Sequence, residues 1–209
     1  KLGSDIMEGG FGDDIYFIDN ENDVVVEFGS DTLIDYGFDT VIITDTFSAS
    51  NVDISEMDGV EAIDLRQALA AVDVVGNTEN NVIYDNSLIN TFAGGFGDDV
   101  YHISSINDLI IENSNEGLDT IYLNDNFDSS YYTAGNNIEN INASATDSDL
   151  VISGNSLNNN LIGGFGNNIL NGNVGTNILQ GLQGDDTYYI GNDDVVVEVS
   201  NYGNDTVVL

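Results

Sequence analysis

The sequence predicts an all-β fold in which short strands stack as a parallel β-solenoid. Three observations support this fold: a glycine- and aspartate-rich segment occurs three times, a nine-residue period runs between the copies, and β-branched residues follow the glycine turns. Hydrophobic residues make up 41% of the 209 positions, enough to form a core. We therefore expect one continuous solenoid over residues 1–209, as a fragment of a longer repeat protein.

A long repeat organises the chain. Gly9–Tyr16 has the sequence Gly-Gly-Phe-Gly-Asp-Asp-Ile-Tyr, which returns almost unchanged at Gly94–Tyr101 and in a related form at Gly181–Tyr188. The copies begin 85 and 87 residues apart. These spacings divide the chain into a first repeat, 9–93, a second, 94–180, and a partial third, 181–209.

Two further segments follow each copy in the same order. The first is a Val/Ile run between two acidic residues, found at Asp23–Glu27, Asp108–Glu112 and Asp194–Glu198. The second is an Asp-Thr pair, found at Asp39-Thr40, Asp119-Thr120 and Asp205-Thr206. Three blocks in one order, three times, indicate a structural repeat.

A shorter period of nine residues lies inside the long one. Glycines 154, 163, 172 and 181 mark the first position of successive nonads. Position 6 is Asp or Asn: Asp5, Asp14, Asp23, Asn81, Asn90, Asp99, Asp108, Asn159, Asn168, Asn177 and Asp186. Position 8 is apolar or aromatic: Met7, Tyr16, Val25, Ile83, Phe92, Tyr101, Ile110, Leu161, Leu170, Leu179 and Tyr188. Each nonad therefore predicts a glycine turn and a short strand whose position-8 side chain points inward, with nonads 18 residues apart on one edge.

This pattern resembles the repeats-in-toxin nonapeptide, G-G-x-G-x-D-x-U-x, of the haemolysin-type calcium-binding β-roll. The long repeat is similar to the extended form of that family, including Val60–Ile63 with Gly76-Asn77 and Ile138–Ile141 with Gly154-Asn155. The resemblance implies a right-handed parallel β-roll, type I secretion to the extracellular space or cell surface, and folding on calcium binding. The expected role is structural, as a surface-layer, filament, adhesin or spacer segment.

Calcium takes six to eight oxygen ligands, mixing carboxylates with backbone carbonyls such as those of a glycine turn. The resemblance implies ions between turns 18 residues apart. The predicted ligands are Asp5, Asp14, Asp23, Asp99, Asp108, Asp186 and Asp194, together with Gly10, Gly12, Gly95, Gly97 and Gly184. Asp5 with Asp23 is the clearest pair.

The other pairings are less symmetrical. Asp14 is expected to face the region of Asp31, on the opposite edge from Asp5 and Asp23. The remaining carboxylates face asparagines: Asp99 faces Asn81, Asp108 faces Asn90, Asp186 faces Asn168 and Asp194 faces Asn177. Asparagine keeps an amide oxygen but has no charge, so sites at 159, 168 and 177 should be weak or absent. We expect these asparagines to form a hydrogen-bonding ladder instead.

A second set of acidic residues has two open interpretations. Its members recur at equivalent places and are Glu27, Glu112, Glu198, Asp39, Asp119, Asp205, Glu61 and Glu139. They could be additional ligands, or they could cap turns by accepting backbone N–H bonds. The capping role is the one we favour.

Composition excludes several functions. With 37 acidic and two basic residues, the net charge is −35, which disfavours binding to nucleic acid or anionic lipid. The longest apolar runs are far too short to insert into a membrane. The chain has one histidine, His102, one arginine, Arg66, and no cysteine, so a catalytic triad or zinc site is not expected and we predict no enzymatic activity. Unpaired strands at the solenoid ends or edges predict self-assembly.

Two other functions fit the sequence besides a calcium-binding structural repeat. The first is the secretion and folding module of a type I-secreted enzyme, such as a protease, lipase or epimerase. The second is a halophilic structural protein whose acidity serves solubility. The stretch 61–71 has helix-like apolar spacing and is either an insertion or an ordinary rung of the solenoid.

Overall fold

A computed structural model shows an all-β fold of stacked parallel strands, as the sequence predicts. It describes residues 3–27, 37–199 and 202–209, which form 21 strands of two to four residues. The first eleven are β1 (Ile6–Glu8), β2 (Ile15–Ile18), β3 (Val24–Val26), β4 (Thr40–Ile43), β5 (Asn51–Asp53), β6 (Ala62–Asp64), β7 (Asp73–Val75), β8 (Val82–Tyr84), β9 (Thr91–Ala93), β10 (Val100–Ile103) and β11 (Leu109–Ile110). The others are β12 (Thr120–Leu123), β13 (Tyr131–Thr133), β14 (Asn140–Asn142), β15 (Val151–Ser153), β16 (Asn160–Ile162), β17 (Ile169–Asn171), β18 (Ile178–Gln180), β19 (Thr187–Tyr189), β20 (Val195–Val196) and β21 (Thr206–Val208).

The chain forms two units. Unit 1 comprises Lys1–His102 and Asn107–Gly117, and unit 2 comprises Ile103–Ile106 and Leu118–Leu209. Unit 1 has a sheet in the order β2-β4-β6-β8-β10, a sheet in the order β5-β7-β9-β11, and the pair β1-β3. Unit 2 has sheets in the orders β12-β14-β16-β18-β20 and β13-β15-β17-β19-β21. Consecutive strands alternate between sheets in each unit, which is the arrangement of a solenoid.

The second residue of most strands points into the core. In unit 1 the parallel register aligns Tyr16, Val41, Ile63, Ile83 and Tyr101 in one column. Each is at most 4% exposed. Successive strand residues face opposite sides of the sheet, so the second residue reaches the core, and in the four-residue strands the fourth does too, as Ile18 and Ile43 show. Burial of such side chains stabilises the fold by roughly 1.5–3 kcal/mol each. The prediction for position 8 is confirmed.

The glycine turns have the backbone conformation that the nonads predict. The φ angles of Gly12 and Gly97 are 96° and 120°, in the region where a side chain is disfavoured. A Cβ at Gly97 would also collide with the carbonyl of Glu79 in the neighbouring turn. The other three glycines predicted to expose carbonyls, Gly10, Gly95 and Gly184, have positive φ as well.

The stretch 61–71 is an ordinary rung. Its first residues form β6, and Ala68 N–H then donates to the Leu65 carbonyl at 2.8 Å in a turn that leads to β7. Leu65, Ala68 and Val72 are buried around this turn. Their burial accounts for the helix-like spacing in the sequence.

Charged side chains are concentrated in the turns, and the outward positions of the described strands carry four carboxylates, Glu8, Asp53, Asp64 and Asp73. The first and third residues of the strands in the β13-to-β21 sheet are all uncharged. On the β2-to-β10 sheet of unit 1, the corresponding positions include one carboxylate, Asp64. The single arginine, Arg66, binds Asp64 with two hydrogen bonds of 2.7 and 2.9 Å. Arg66 also lies 4.5 Å from the ring centroid of Tyr84, which stacks on His102 at 4.7 Å.

Among the described residues, no helix is long and apolar enough to span a membrane.

Candidate metal centres

The first acidic centre lies in unit 1 where three turns meet. Asp14 precedes β2, Glu27 follows β3 and Asp39 precedes β4. Strands β2 and β4 pair in parallel with Ile15 opposite Thr40, so the residues immediately before them are neighbours. Asp14 N–H donates to Asp39 Oδ1 at 2.7 Å. One carboxylate oxygen from each of the three acids lies within 4.8 Å of the others.

The second centre has the same construction in unit 2. Asp186 precedes β19, Glu198 follows β20 and Asp205 precedes β21. Thr187 pairs with Thr206, and Asp186 N–H donates to Asp205 Oδ1 at 3.0 Å. The three ligand oxygens again lie within 4.8 Å of one another. The two centres use residues from the same three blocks of the long repeat.

The middle repeat carries the same residue types. Asp99 and Glu112 both belong to unit 1 and are buried. Asp99 Oδ1 accepts the Asn81 N–H at 2.6 Å, as expected for nonads 18 residues apart. The equivalent of Asp39 in this repeat is Asp119, a buried residue of unit 2.

Asp186 is the carboxylate whose surroundings most favour a cation. It is 1% exposed, and its Oδ1 accepts the Asn168 N–H at 2.6 Å. Its Oδ2 is buried and has no hydrogen-bond partner among the described residues. Burial raises the pKa of Asp186 to about 6, and repulsion from Asp205 adds to this effect, against the Asn168 hydrogen bond. Burial also raises the pKa of Glu198, with further repulsion from Asp205 and Asp186.

The arrangement suits a hard divalent cation. Calcium lies about 2.3–2.6 Å from its oxygen ligands, so two ligands of one ion are at most about 5 Å apart. Both complete centres meet this limit and offer only carboxylate oxygens. Neither contains the imidazole or thiolate ligands that zinc prefers. These acidic groups could therefore hold a metal ion.

The predicted pair Asp5 and Asp23 is in contact through a hydrogen bond from the backbone N–H of Asp5 to the side chain of Asp23. Asp23 Oδ1 accepts the Asp5 N–H at 2.9 Å. Its Oδ2 accepts the N–H groups of Asp19 and Asn20, both at 3.1 Å. Both oxygens of Asp23 therefore stabilise turns in this structure, and ligation by this pair stays a prediction.

Two of the predicted pairs between nonads on the same edge are joined by hydrogen bonds. Asp108 Oδ1 accepts the Asn90 N–H at 3.0 Å. Asp194 Oδ1 accepts the Asn177 N–H at 2.8 Å, and its Oδ2 accepts the Gly191 N–H at 2.8 Å. The expected partner of Asp14, Asp31, lies outside the described residues.

Three of the predicted glycines bind neighbouring turns through their amides. Gly10 N–H donates to Glu27 Oε2 at 3.2 Å, so this glycine presents its N–H to the first centre. Gly97 N–H donates to the Glu116 carbonyl at 2.7 Å, and Gly184 N–H donates to the Tyr202 carbonyl at 2.8 Å. Ligation by glycine carbonyls, including those of Gly12 and Gly95, stays a prediction.

The asparagine ladder is confirmed. Leu150 N–H donates to Asn168 Oδ1 at 3.1 Å, and Asn159 N–H donates to Asn177 Oδ1 at 2.8 Å. Asn159 Nδ2 donates in turn to the Ile138 carbonyl at 2.8 Å. Each amide thus connects consecutive turns without a charge.

The two interpretations of the second acidic set are not exclusive. Glu61 Oε2 accepts the Asp39 N–H at 2.7 Å, and Glu139 Oε2 accepts the Asp119 N–H at 2.9 Å, so both glutamates cap turns. Burial raises the pKa of Glu61, and the neighbouring Glu79 carboxylate adds to this. Four of the other six members, Glu27, Asp39, Glu198 and Asp205, belong to the two acidic centres. The remaining two, Glu112 and Asp119, are buried. The signal for these centres in the sequence was the fixed order of the three blocks.

No protein-family model, curated protein or solved structure matches this chain.

Proposed function

We propose that this chain is the calcium-binding structural repeat region of a secreted or cell-surface protein, and that it folds on binding calcium. Two observations carry the proposal: carboxylate oxygens of Asp186, Glu198 and Asp205 lie within 4.8 Å of one another, and Asp186 has a buried oxygen, Oδ2, with no hydrogen-bond partner among the described residues. Three carboxylates this close repel one another when ionised, and the burial of Asp186 adds a cost to its own ionisation. A bound cation removes both costs.

Coupling between binding and folding follows from where the ligands lie in the chain. Asp14 and Asp39 are 25 residues apart, and strand pairing brings them together only in the folded state. An ion that binds the folded but not the unfolded chain stabilises the fold by mass action. In a chain of net charge −35, the same ion also reduces repulsion between turns.

The extracellular location is part of the proposal. Extracellular calcium modules have dissociation constants of about 10⁻⁴–10⁻³ M, so they are filled outside the cell and empty where calcium is scarce. The resemblance of the nonads to the repeats-in-toxin motif supports type I secretion in the unfolded form. The recurrence of the same three acidic blocks in each long repeat supports a structural role such as a spacer, filament, adhesin or surface-layer segment.

Far-UV circular dichroism and thermal unfolding during calcium titration test this function. We expect calcium to increase the β signal and the melting temperature, and magnesium to have a smaller effect because it requires a tighter octahedral site. Asp186→Asn should reduce the calcium-dependent shift. Asp147→Asn removes one charge from an exposed position of the same unit and should leave the shift unchanged. Equal calcium responses in the two variants would contradict the assignment of this centre.

A further inference from the structure

We infer that Tyr188 is a positioning residue of the unit 2 centre: its buried hydroxyl holds Glu198 in the orientation in which that carboxylate binds the cation. This inference rests on the proposed function of the centre. It gives a role in the centre to a position-8 residue, for which the nonad motif predicts only a core position.

The first observation is where tyrosine occurs. Position 8 is aliphatic, Met or Phe in most nonads and is Tyr in three, at Tyr16, Tyr101 and Tyr188. These three nonads are the ones that begin the long repeats. Their tyrosine rings are at most 4% exposed and occupy the same inward position as Leu170 or Ile83. Packing alone does not require a phenol there, because an aliphatic residue serves elsewhere in the same column.

The second observation is what the hydroxyl contacts. Gly181 N–H donates to Tyr188 Oη at 2.8 Å, and Tyr188 Oη donates to Glu198 Oε1. The glycine amide fixes the phenol as an acceptor on one side, so the hydroxyl proton points to the glutamate. This leaves Glu198 Oε2 for an ion. The middle repeat has the same pair of bonds, from Gly94 N–H to Tyr101 Oη at 2.7 Å and from Tyr101 Oη to Glu112 Oε1.

The hydroxyl also lies beside the unpartnered oxygen of the centre. A Cβ added to Gly181 would overlap both Asp186 Oδ2 and Tyr188 Oη. Glycine at this position therefore leaves the space in which the carboxylate and the phenol approach each other. The tyrosine thus has its ring in the core and its hydroxyl at the wall of the centre.

The physical effect of this contact is orientation. Glu198 is largely exposed, and a free glutamate side chain loses rotamer freedom when it binds an ion. A hydrogen bond from a rigid, buried phenol restricts the side chain before the ion arrives. Partners that orient metal ligands in this way typically change metal affinity by about 10–100-fold when they are removed.

Unit 1 supplies a matched control. Tyr16 occupies the equivalent position, and its ring is 4% exposed. Its hydroxyl has no hydrogen-bond partner among the described residues. Tyr16→Phe therefore removes the same atom from the same place in the repeat without breaking a bond to a glutamate.

Isothermal titration of the full chain with calcium tests the inference. Asp186→Asn first identifies the binding component that belongs to the unit 2 centre. Tyr188→Phe should weaken that component about 10-fold or more, whereas Tyr16→Phe should leave it unchanged. In a double-mutant cycle, Tyr188→Phe should have little further effect in a Glu198→Gln background, because the two residues act through one bond.

A spectroscopic measurement supports the titration. Calcium binding to Glu198 should perturb the phenol that is bonded to it, so the tyrosine ultraviolet difference spectrum should lose amplitude in Glu198→Ala. This second measurement applies even if Tyr188→Phe does not fold. An amplitude unchanged in Glu198→Ala would overturn the inference.

The outcomes separate the two proposals. If Asp186→Asn removes a calcium component and Tyr188→Phe behaves like Tyr16→Phe, the positioning role is wrong and the calcium site stands. If Asp186→Asn removes no component, the unit 2 centre does not bind calcium and both proposals fail for it.

Discussion

At the scale of single residues, Asp186 combines burial with a charge that the fold does not compensate. One of its oxygens has a backbone partner and the other has none among the described residues. A buried polar atom without a partner typically costs about 1–3 kcal/mol, and more when it is charged. In the metal-free protein this cost falls when the carboxyl is protonated.

The metal-free protein should therefore lose stability as the pH rises. Burial raises the pKa of Asp186 from 3.8 to about 6, so the folded state favours the protonated form. The resulting stabilisation is complete below about pH 4 and is lost as the pH rises through 6. The shift corresponds to an upper limit of about 3 kcal/mol. The free energy of unfolding, measured by denaturant titration in the presence of a chelator from pH 4 to 7, tests this loss of stability.

Two comparisons isolate the contribution of Asp186 from that of the other acids. Asp186→Asn should flatten the pH dependence in this window, whereas Asp147→Asn should retain it. Calcium should restore the stability of the unmodified chain above pH 6, where the carboxylate is ionised and can bind it. A pH dependence that is the same in both variants would show that other carboxylates cause it.

At the scale of elements, side chains at position 6 connect turns that lie on the same edge, 18 residues apart in the chain. The acceptor is a carboxylate in some rungs and an amide in others, and the donor is a backbone N–H of the neighbouring turn, as between Asn90 and Asp108 or Asn159 and Asn177. The bonds without charge need no cation. We expect the part of unit 2 that contains the asparagine ladder to depend least on calcium.

Asn177→Ala should destabilise the protein with or without calcium. The substitution removes the acceptor of the buried Asn159 N–H, and an unsatisfied buried donor costs about 1–3 kcal/mol. The free energy of unfolding from denaturant titration measures the loss. Asn136→Ala, at an exposed turn position, is the control and should change stability by less than about 0.5 kcal/mol.

Much of the fold could be predicted from the sequence because each of its features recurs. The inward column, the glycine turns and the asparagine ladder all follow from the nine-residue period. The acidic centres were harder, because their partners do not follow the 18-residue rule. Asp14 meets Asp39 at a distance of 25 residues, and Asp186 meets Asp205 at 19. These sequence separations depend on the number of residues in each turn, which the nine-residue period does not determine.

The tyrosine contact was predicted only in part. The position of Tyr188 in the nonad predicts that its ring lies in the core, which is confirmed, but it does not predict the hydrogen bond of the hydroxyl. Its partner Glu198 follows the next strand along the chain, in an acidic block with two possible roles. Only the register of the neighbouring strands identifies which carboxylate meets the hydroxyl.

At the scale of the whole molecule, charge is separated by location. Most carboxylates lie in the turns, and among the described strands only four occupy outward positions, at Glu8, Asp53, Asp64 and Asp73. Where a carboxylate does occur on the long sheet of unit 1, at Asp64, the single arginine neutralises it. Burial would raise the pKa of Asp64, but the two hydrogen bonds from Arg66 hold it below its usual range. Repulsion in this protein therefore acts mainly between turns.

Sodium chloride should stabilise the metal-free protein gradually, through screening of this repulsion. The Debye length falls from about 10 Å at 0.1 M to about 3 Å at 1 M, a range that covers the distance between adjacent turns. Melting temperature in chelator against salt concentration measures the effect. Calcium at equal ionic strength should raise the melting temperature further and should saturate. Identical curves for the two salts would favour the halophilic interpretation.

The strand registers also bear on how this sequence tolerates changes in length. Paired strands are offset by 25 residues between Ile15 and Thr40, by 18 between Asn160 and Ile178, and by 17 between Ile178 and Val195. The inward column is preserved across all three offsets, so the turns absorb the difference. The inward column therefore tolerates turns of different lengths, so an insertion or deletion in a turn need not disturb the core. The limit is set by the contact between neighbouring turns, because a Cβ at Gly97 would already collide with the Glu79 carbonyl.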